Sequence, residues 1–313
     1  MNEGESILKK RGVGYACMIY GTGYGNGFPD ESRAAAELSS DGKVIVFVEA
    51  TDVGQGAKNI MRQIAGETLN MSVEDIVIKN INTSYMMDSG TAAASRQTYN
   101  TGNAVLNACK KLRESIEHTG IEDKKKAFSF MIDNSIKTRE EGYFKANTTS
   151  VNLETGEGNP YWPYTFSTNK VVVEVDDETG KVDVIEVIAC HDSGKIINPL
   201  MAEGQIEGGA AMGIGYGIME EVIFNKGIIK NQNFNDYIIP TSKDVPKVNV
   251  IFVEETEDSG PYGAKGLGEP SMISTAPAII NAIYDAVGVR IYDLPASPEK
   301  ILRALADKRK KHE

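Results

Sequence analysis

The chain of 313 residues is long enough for one large or two medium domains. Its 41% hydrophobic and 25% charged residues exclude a disordered or fibrous class, and a net charge of −11 argues against a nucleic-acid or anionic-membrane surface. Taken in order, the chain opens on a polar stretch at 1–10 with no signal-peptide core. A small-residue strand is expected at 12–18, then the glycine run Gly21-Thr22-Gly23-Tyr24-Gly25-Asn26-Gly27. That run is not followed by Lys-Ser/Thr or by a helix, so it reads as a loop and not a phosphate cradle. Asp41-Gly42 signals a hairpin turn into a strand at 43–50. Thr51-Asp52-Val53-Gly54-Gln55-Gly56 then leads into a helical pattern with apolar residues at Ile60, Ile64 and Leu69. Strand, glycine turn and helix together present N–H groups to an anion, and Gln55 between two glycines offers a flat pair of donor and acceptor.

A further strand is expected at 75–80. From Asp88-Ser89-Gly90-Thr91 through Ala92, Ala93, Ala94, Ser95, Arg96 and Gln97 the pattern predicts the start of a long helix to about His118, its small residues permitting close approach by a bulky ligand. Residues 121–136 read as a charged surface helix. The polar segment 147–163 is the expected boundary between two lobes, 1–155 and 156–313. The second lobe opens with a hairpin of strands at 170–175 and 181–189 around Asp176-Asp177-Glu178-Thr179-Gly180. Asp192-Ser193-Gly194-Lys195-Ile196-Ile197-Asn198-Pro199 ends it. A helix follows with Gly204, Gln205, Gly208, Gly209, Gly213 and Gly217, where glycines four apart admit another backbone or a flat ligand. Its apolar part, 208–219, is too short to span a bilayer. Near the end, Gly263-Ala264-Lys265-Gly266-Leu267-Gly268-Glu269-Pro270 places one carboxylate behind three glycines and before a proline. A carboxylate on such a turn, shielded from water, is a candidate general base. An apolar helix at 275–286 and an amphipathic one at 298–308, capped by Ser297, complete the chain. The basic run Lys308-Arg309-Lys310-Lys311 and His312 read as a frayed tail.

Cys17, Cys109 and Cys190 are scattered singly, so a reduced, cytoplasmic chain without its own iron–sulfur cluster is expected. Three histidines argue against a histidine-ligated metal. Cys190 and His191 are neighbours on a strand and so point to opposite faces, which excludes a dyad.

Five motifs in fixed order give the chain a family likeness: Asp52 to Gly56, Gly90 to Gln97, Asp192 to Pro199, Gly204 to Gly209, and Gly266 to Pro270. Together they resemble the molybdenum-binding subunit of the xanthine dehydrogenase family of molybdenum hydroxylases, over nearly the whole chain. The family's usual subunit begins with another half carrying a Gly-Gly-Phe-Gly motif, which this sequence lacks. In that respect it is similar to the medium molybdopterin subunit of the split nicotinate dehydrogenases.

The resemblance implies an α+β fold of two lobes of mixed sheet and helices with a cofactor cleft between them. It makes Glu269 the catalytic base. Cofactor contacts fall on Gly54, Gln55, Gly56, Ala93, Ala94, Ser95, Arg96, Gln97, Gln205, Gly266 and Gly268, with a substrate-facing aromatic near Tyr15. The implied cofactor is molybdenum–molybdopterin, in the cytosine dinucleotide form with a terminal sulfur or selenium, held through the pterin and not by side-chain ligation. The implied partners are a large molybdopterin subunit, an iron–sulfur subunit and an FAD subunit. The implied reaction hydroxylates a carbon of a small N-heteroaromatic with water-derived oxygen. The competing readings are an aldehyde-oxidising member, a non-catalytic cofactor-holding or assembly chain, which would have no need of Glu269, and a nucleotide-binding module built on the glycine loops.

Overall fold

The computed structural model describes residues 9–25, 28, 30–79 and 82–310. The opening stretch 1–8, Asn26 and Gly27 of the glycine run, Asn80, Lys311 and His312 lie outside them. The architecture is α+β, with two four-stranded mixed sheets each carrying helices. The first strand, β1 (Lys9–Gly21), is followed by the hairpin β2 (Glu31–Leu38) and β3 (Val44–Phe47). Helix α1 (Ala57–Leu69) then crosses to β4 (Ile76–Lys79), which pairs parallel to β3. A five-residue π turn, Gln97–Thr101, runs into α2 (Gly102–Glu117), then come α3 (Lys124–Asp133) and β5 (Arg139–Lys145) on the free edge of β2. The alternation of Ala34, Ala36, Val44 and Val46 buries one sheet face against Met61, Ile64, Ala104 and Leu112 of α1 and α2. Truncating a fully buried side chain such as Ile64 to alanine would cost about 2–5 kcal/mol.

The second half holds the expected hairpin, β6 (Tyr164–Asp176) and β7 (Val182–Asp192), then α4 (Pro199–Ile218). A small ribbon of β8 (Phe224–Asn225) and β9 (Ile228–Ile229) precedes β10 (Val248–Val253), parallel to β7. The short α5 (Pro270–Ile273), α6 (Thr275–Val287) and α7 (Pro298–Lys310) complete it. Val171, Val173, Val187 and Ala189 form its core with Ile206, Ile214, Ile279 and Ile283. Gly209 of α4 lets α5 approach, since a Cβ there would lie 2.1 Å from Ser271 Oγ. That row therefore packs against protein, whereas Gly204 and Gly208 face open space.

Three expectations are corrected. The two cores do not follow a single cut at 155/156, because β1 pairs along its 13 residues with β6, from Lys9 opposite Asp176 to Gly21 opposite Tyr164. Its hydrogen bonds and its packing on α6 place it in the second sheet. The alanine-rich segment 88–96 is not helical: Ala94 (φ 57°) and Ser95 (φ 51°) are left-handed, and the helical run starts only at Gln97. Tertiary contacts there outweigh the modest helix propensity of alanine. The basic run is not frayed either. Lys308 to Lys310 close the last turn of α7, and Lys308 Nζ donates to Val287 O at 3.0 Å, satisfying a carbonyl at the end of α6.

The lobes meet through the loop 254–264. Tyr99 and Ser259 hydroxyls lie 2.6 Å apart, Asn103 Nδ2 donates to Ser259 O at 2.8 Å, and Thr68 and Tyr262 hydroxyls are 2.9 Å apart. This loop continues directly into the Gly266–Glu269 turn, so its anchoring on α1 and α2 sets where that turn stands.

His191 on β7 is 1% exposed and, among the described residues, neither ring nitrogen has a partner. Burial pushes its pKa from 6.5 down to about 4. The neutral ring is therefore favoured in the fold, and its contribution is complete above pH 6.5. As pH falls from 6.5 towards 4 only the unfolded chain takes the proton, a loss on the order of 3 kcal/mol. The thermal midpoint should fall over that interval, and His191→Phe should flatten the fall. Parallel pH profiles of the two proteins would contradict it.

Candidate active site

A cavity of about 420 Å³ opens between the lobes. One wall is the segment after β3. There Asp52 organises the turn: its carboxylate accepts from the N–H groups of Gly54 (3.0 Å), Gly56 (3.1 Å) and Lys58 (3.2 Å). The amides expected to greet an anion are thus occupied by Asp52, and neither Gly54 nor Gly56 lines the cavity. Gln55 does. Its Nε2 donates to Thr51 O (2.8 Å) and Gln97 Oε1 (2.9 Å), and Gln97 Nε2 donates to Thr51 O at 3.0 Å. The two glutamines form a flat amide pair on the wall, Gln97 being placed by the π turn, a device common at functional sites.

The opposite wall comes from the second lobe: Ser193 and Lys195 after β7, Asn198, and Met201 and Gln205 on α4. Asn198 caps α4, its Oδ1 accepting from Met201 N at 3.1 Å, and its Nδ2 donates across the lobes to Gln63 Oε1 at 3.1 Å. Gln205 has no side-chain partner among the described residues. The floor is the loop 264–269. Lys265, 7% exposed, pairs with Asp192 at 2.7 Å and lies 5.9 Å from the Phe166 ring centre. Its backbone N–H donates to Ser193 O at 2.9 Å. This buried pair fastens the loop to the end of β7.

Glu269 stands at the rim, at the start of α5. Ala94 N–H donates to Oε1 at 3.0 Å and the Ser95 hydroxyl donates to Oε2. Ser95 Oγ in turn accepts from the N–H groups of Gly268 (3.2 Å) and Glu269 (3.0 Å). The carboxylate and its own turn are thus held from the first-lobe segment 94–95. Gly266 makes this possible: a Cβ there would sit 1.9 Å from Ser95 O. Both Gly266 and Ala94 stand behind Glu269 and not on the cavity, whereas Ala93, Ser95 and Gly268 line it. Arg96 also borders it, but its guanidinium is turned inward onto Asp30 and is not free for a ligand. In this chain Glu269 is exposed, so the shielding from water expected of the turn is not supplied by this chain's described residues.

Tyr15, near which a substrate-facing aromatic is expected, is not brought to the cavity. It is 58% exposed on β1. The aromatic nearest the carboxylate is Tyr20, half-buried; burial first, and then the Glu269 charge, push its pKa up to about 12. Strand alternation carries the signal. Gly12 and Gly14 pack against α6, so even-numbered β1 residues face inward and Tyr20 shares their face. Ser193 and Lys265 were also missed as lining residues, although both lie inside quoted motifs.

Residues 1–246 match the family model of the molybdopterin cofactor-binding domain. The chain is similar to the xanthine dehydrogenase molybdenum-binding subunit of Escherichia coli O157:H7, 33% identical over 315 residues, covering 93% of this chain and 42% of that protein. It is similar to the aldehyde oxidoreductase of Megalodesulfovibrio gigas, 36% identical over 305 residues, covering 95% of this chain and 32% of that one. A solved structure of the aldehyde oxidoreductase from Desulfovibrio gigas superposes with a TM-score of 0.89 at 35% identity, over 97% of this chain and 33% of that one. The chain therefore spans less than half the length of these relatives.

Proposed function

The chain belongs to the molybdopterin cofactor-binding domain family, within the xanthine dehydrogenase family of molybdenum hydroxylases, and from that premise we propose that it is the molybdopterin-binding, base-bearing part of a multi-subunit hydroxylase. The observation that carries this is the convergence of Gln55, Gln97, Ser193, Gln205 and Glu269 from both lobes on one cavity, the kind of interface that ligand sites favour. The lining fits a large polar heterocycle. The Ser193 hydroxyl is 3% exposed with no partner among the described residues, and the Gln205 amide is likewise unpaired beside the open face of Gly204 and Gly208. A ligand supplying hydrogen bonds there would satisfy the Ser193 hydroxyl, which is costly to leave buried and alone, and would engage the half-buried Gln205 amide.

Gln55, Gln97, Ser193 and Gln205 would hold the cofactor, in the cytosine dinucleotide form. When bound, the molybdenum centre with its terminal sulfur or selenium supplies the two-electron redox chemistry. Glu269, held by Ala94 and Ser95, takes the proton from the attacking water-derived oxygen. Tyr20, on the Glu269 side, orients the substrate. Iron–sulfur clusters and FAD belong to partner subunits, in keeping with cysteines that stand singly here.

The substrate class is an N-heteroaromatic of nicotinate or purine type. The 36% identity to an aldehyde oxidoreductase supports a second reading, oxidation of aldehydes. Turnover of a panel of N-heteroaromatics and aldehydes with an artificial electron acceptor separates them: N-heteroaromatic turnover is expected, and turnover of aldehydes alone would overturn the first reading.

The partner reading rests on exposed apolar side chains. Met212 and Tyr216, one turn apart on α4, and Phe224, Phe234 and Ile238 of the following segment are exposed. Exposed apolar surface of this kind marks a protein contact, here the large molybdopterin subunit. Expressed alone, the chain should aggregate or stay cofactor-free in size-exclusion and elemental analysis. A stable, molybdenum-loaded monomer would contradict this.

A further inference from the structure

The left-handed turn at Ala94 and Ser95 is costly for residues with a Cβ and persists only where its surroundings over-determine it. The next residue is Arg96, 1% exposed. Its guanidinium is fully engaged. Nε donates to Asp30 Oδ1 at 2.6 Å, Nη1 to Ser89 O (2.8 Å) and Thr91 O (3.2 Å), and Nη2 to Glu31 O (2.7 Å) and Ser32 Oγ (3.1 Å). Asp30, 6% exposed, also accepts from Asn100 Nδ2 of the π turn at 2.7 Å. Gly90 lets the chain close over the guanidinium, since a Cβ there would lie 2.5 Å from Nη1. From the other side, Gly23 N–H donates to Ala94 O at 3.1 Å. Gly23, in the glycine run that binds no phosphate by its pattern, thus straps this turn from the β1 side.

We propose that Arg96, through its buried pair with Asp30, is a positioning residue that keeps the Ala94–Ser95 turn left-handed and so keeps the Ala94 N–H and the Ser95 hydroxyl on the Glu269 carboxylate. The proposal rests on reading Glu269 as the base. Arg96 itself touches no reacting atom. A buried ion pair is weak evidence for stability as such, whereas here the five donors fasten the residue that follows the Ala94–Ser95 turn to Asp30, Glu31, Ser32, Ser89 and Thr91, and so fix one end of that turn.

The test uses the assembled, metal-loaded complex. Arg96→Lys keeps the charge but replaces the five-donor fork by one ammonium. Metal content should be retained and KM should stay within about twofold, the signature of an effect confined to the transition state. A small misplacement of the base should lower kcat roughly tenfold to a hundredfold. Hydrogen exchange in the peptide 90–100 should accelerate at the Ala94 amide while α2 stays protected. Adding Ala94→Gly, which removes the left-handed penalty, should recover part of kcat. If Arg96→Lys does not assemble, Asn100→Ala, which strips the two Nδ2 hydrogen bonds from Asp30 O and Oδ1 and leaves the ion pair, should give the same pattern at smaller size. An unchanged kcat, unchanged exchange at Ala94, or a kcat loss that Ala94→Gly leaves in place would each overturn the proposal. Full activity in Glu269→Gln would instead overturn the base reading, with exchange at Ala94 still deciding whether Arg96 holds the turn.

Discussion

Replacing Glu269 by glutamine is expected to slow substrate reduction of the assembled enzyme by at least about 10²–10⁴-fold, the usual contribution of a general base. The carboxamide keeps the volume, its oxygen can still accept from Ala94 N–H, and its NH2 group can donate to Ser95 Oγ in place of the hydroxyl's donation to the carboxylate, so the turn and the metal content should survive. What it loses is the ability to take a proton. The defect should appear when substrate bleaches the oxidised enzyme under anaerobic mixing, and reoxidation by an artificial acceptor should be nearly unchanged. Glu255→Gln is the control for loss of charge. Glu254 is a poorer one, because its Oε1 accepts from Ile196 N–H at 2.9 Å beside the cavity.

Gly266→Ala is expected to have the next largest effect, about 10²-fold on kcat, on the scale of a 1 Å misplacement of a reacting group. The added Cβ would fall 1.9 Å from Ser95 O, which is backbone and cannot swing aside. Either the 264–269 loop or the 94–95 turn must move, and both carry the contacts to Glu269. Overpacking of this kind also costs about 1–3 kcal/mol of stability, so the thermal midpoint should fall alongside kcat. Gly204→Ala meets open space inside α4 and should leave the midpoint equal or raised, since alanine is the better helix former. Equal kcat for Gly266→Ala and wild type would show that the loop does not need this close approach.

Much of this site was legible in the sequence because its motifs are turns, where residue identity and backbone geometry are tightly linked. Gln55, Gln205 and Glu269 converge as the order of motifs implied, and the hairpin of β6 and β7 follows from alternation around the turn at 176–180. What failed had non-local causes. The alanines at 92–94 carry a helical signal, but Arg96 is tied to Asp30, 66 residues upstream, and Ala94 to Glu269, 175 residues downstream. No window along the chain contains those forces. The lobe boundary missed β1 because pairing with β6, more than 140 residues away, leaves no trace in the composition of either strand. Tyr20 was passed over for Tyr15 because the face of β1 is decided by which residues meet α6.

The most direct test of the account is the molybdenum content of the purified native complex, set beside those of its Glu269→Gln and Gln205→Ala variants. Stoichiometric metal is predicted in the wild type and in Glu269→Gln, whose altered group moves protons, with depletion in Gln205→Ala, which removes an unpaired amide from the cavity wall. A catalytically active wild-type complex that contains no molybdenum would contradict the account.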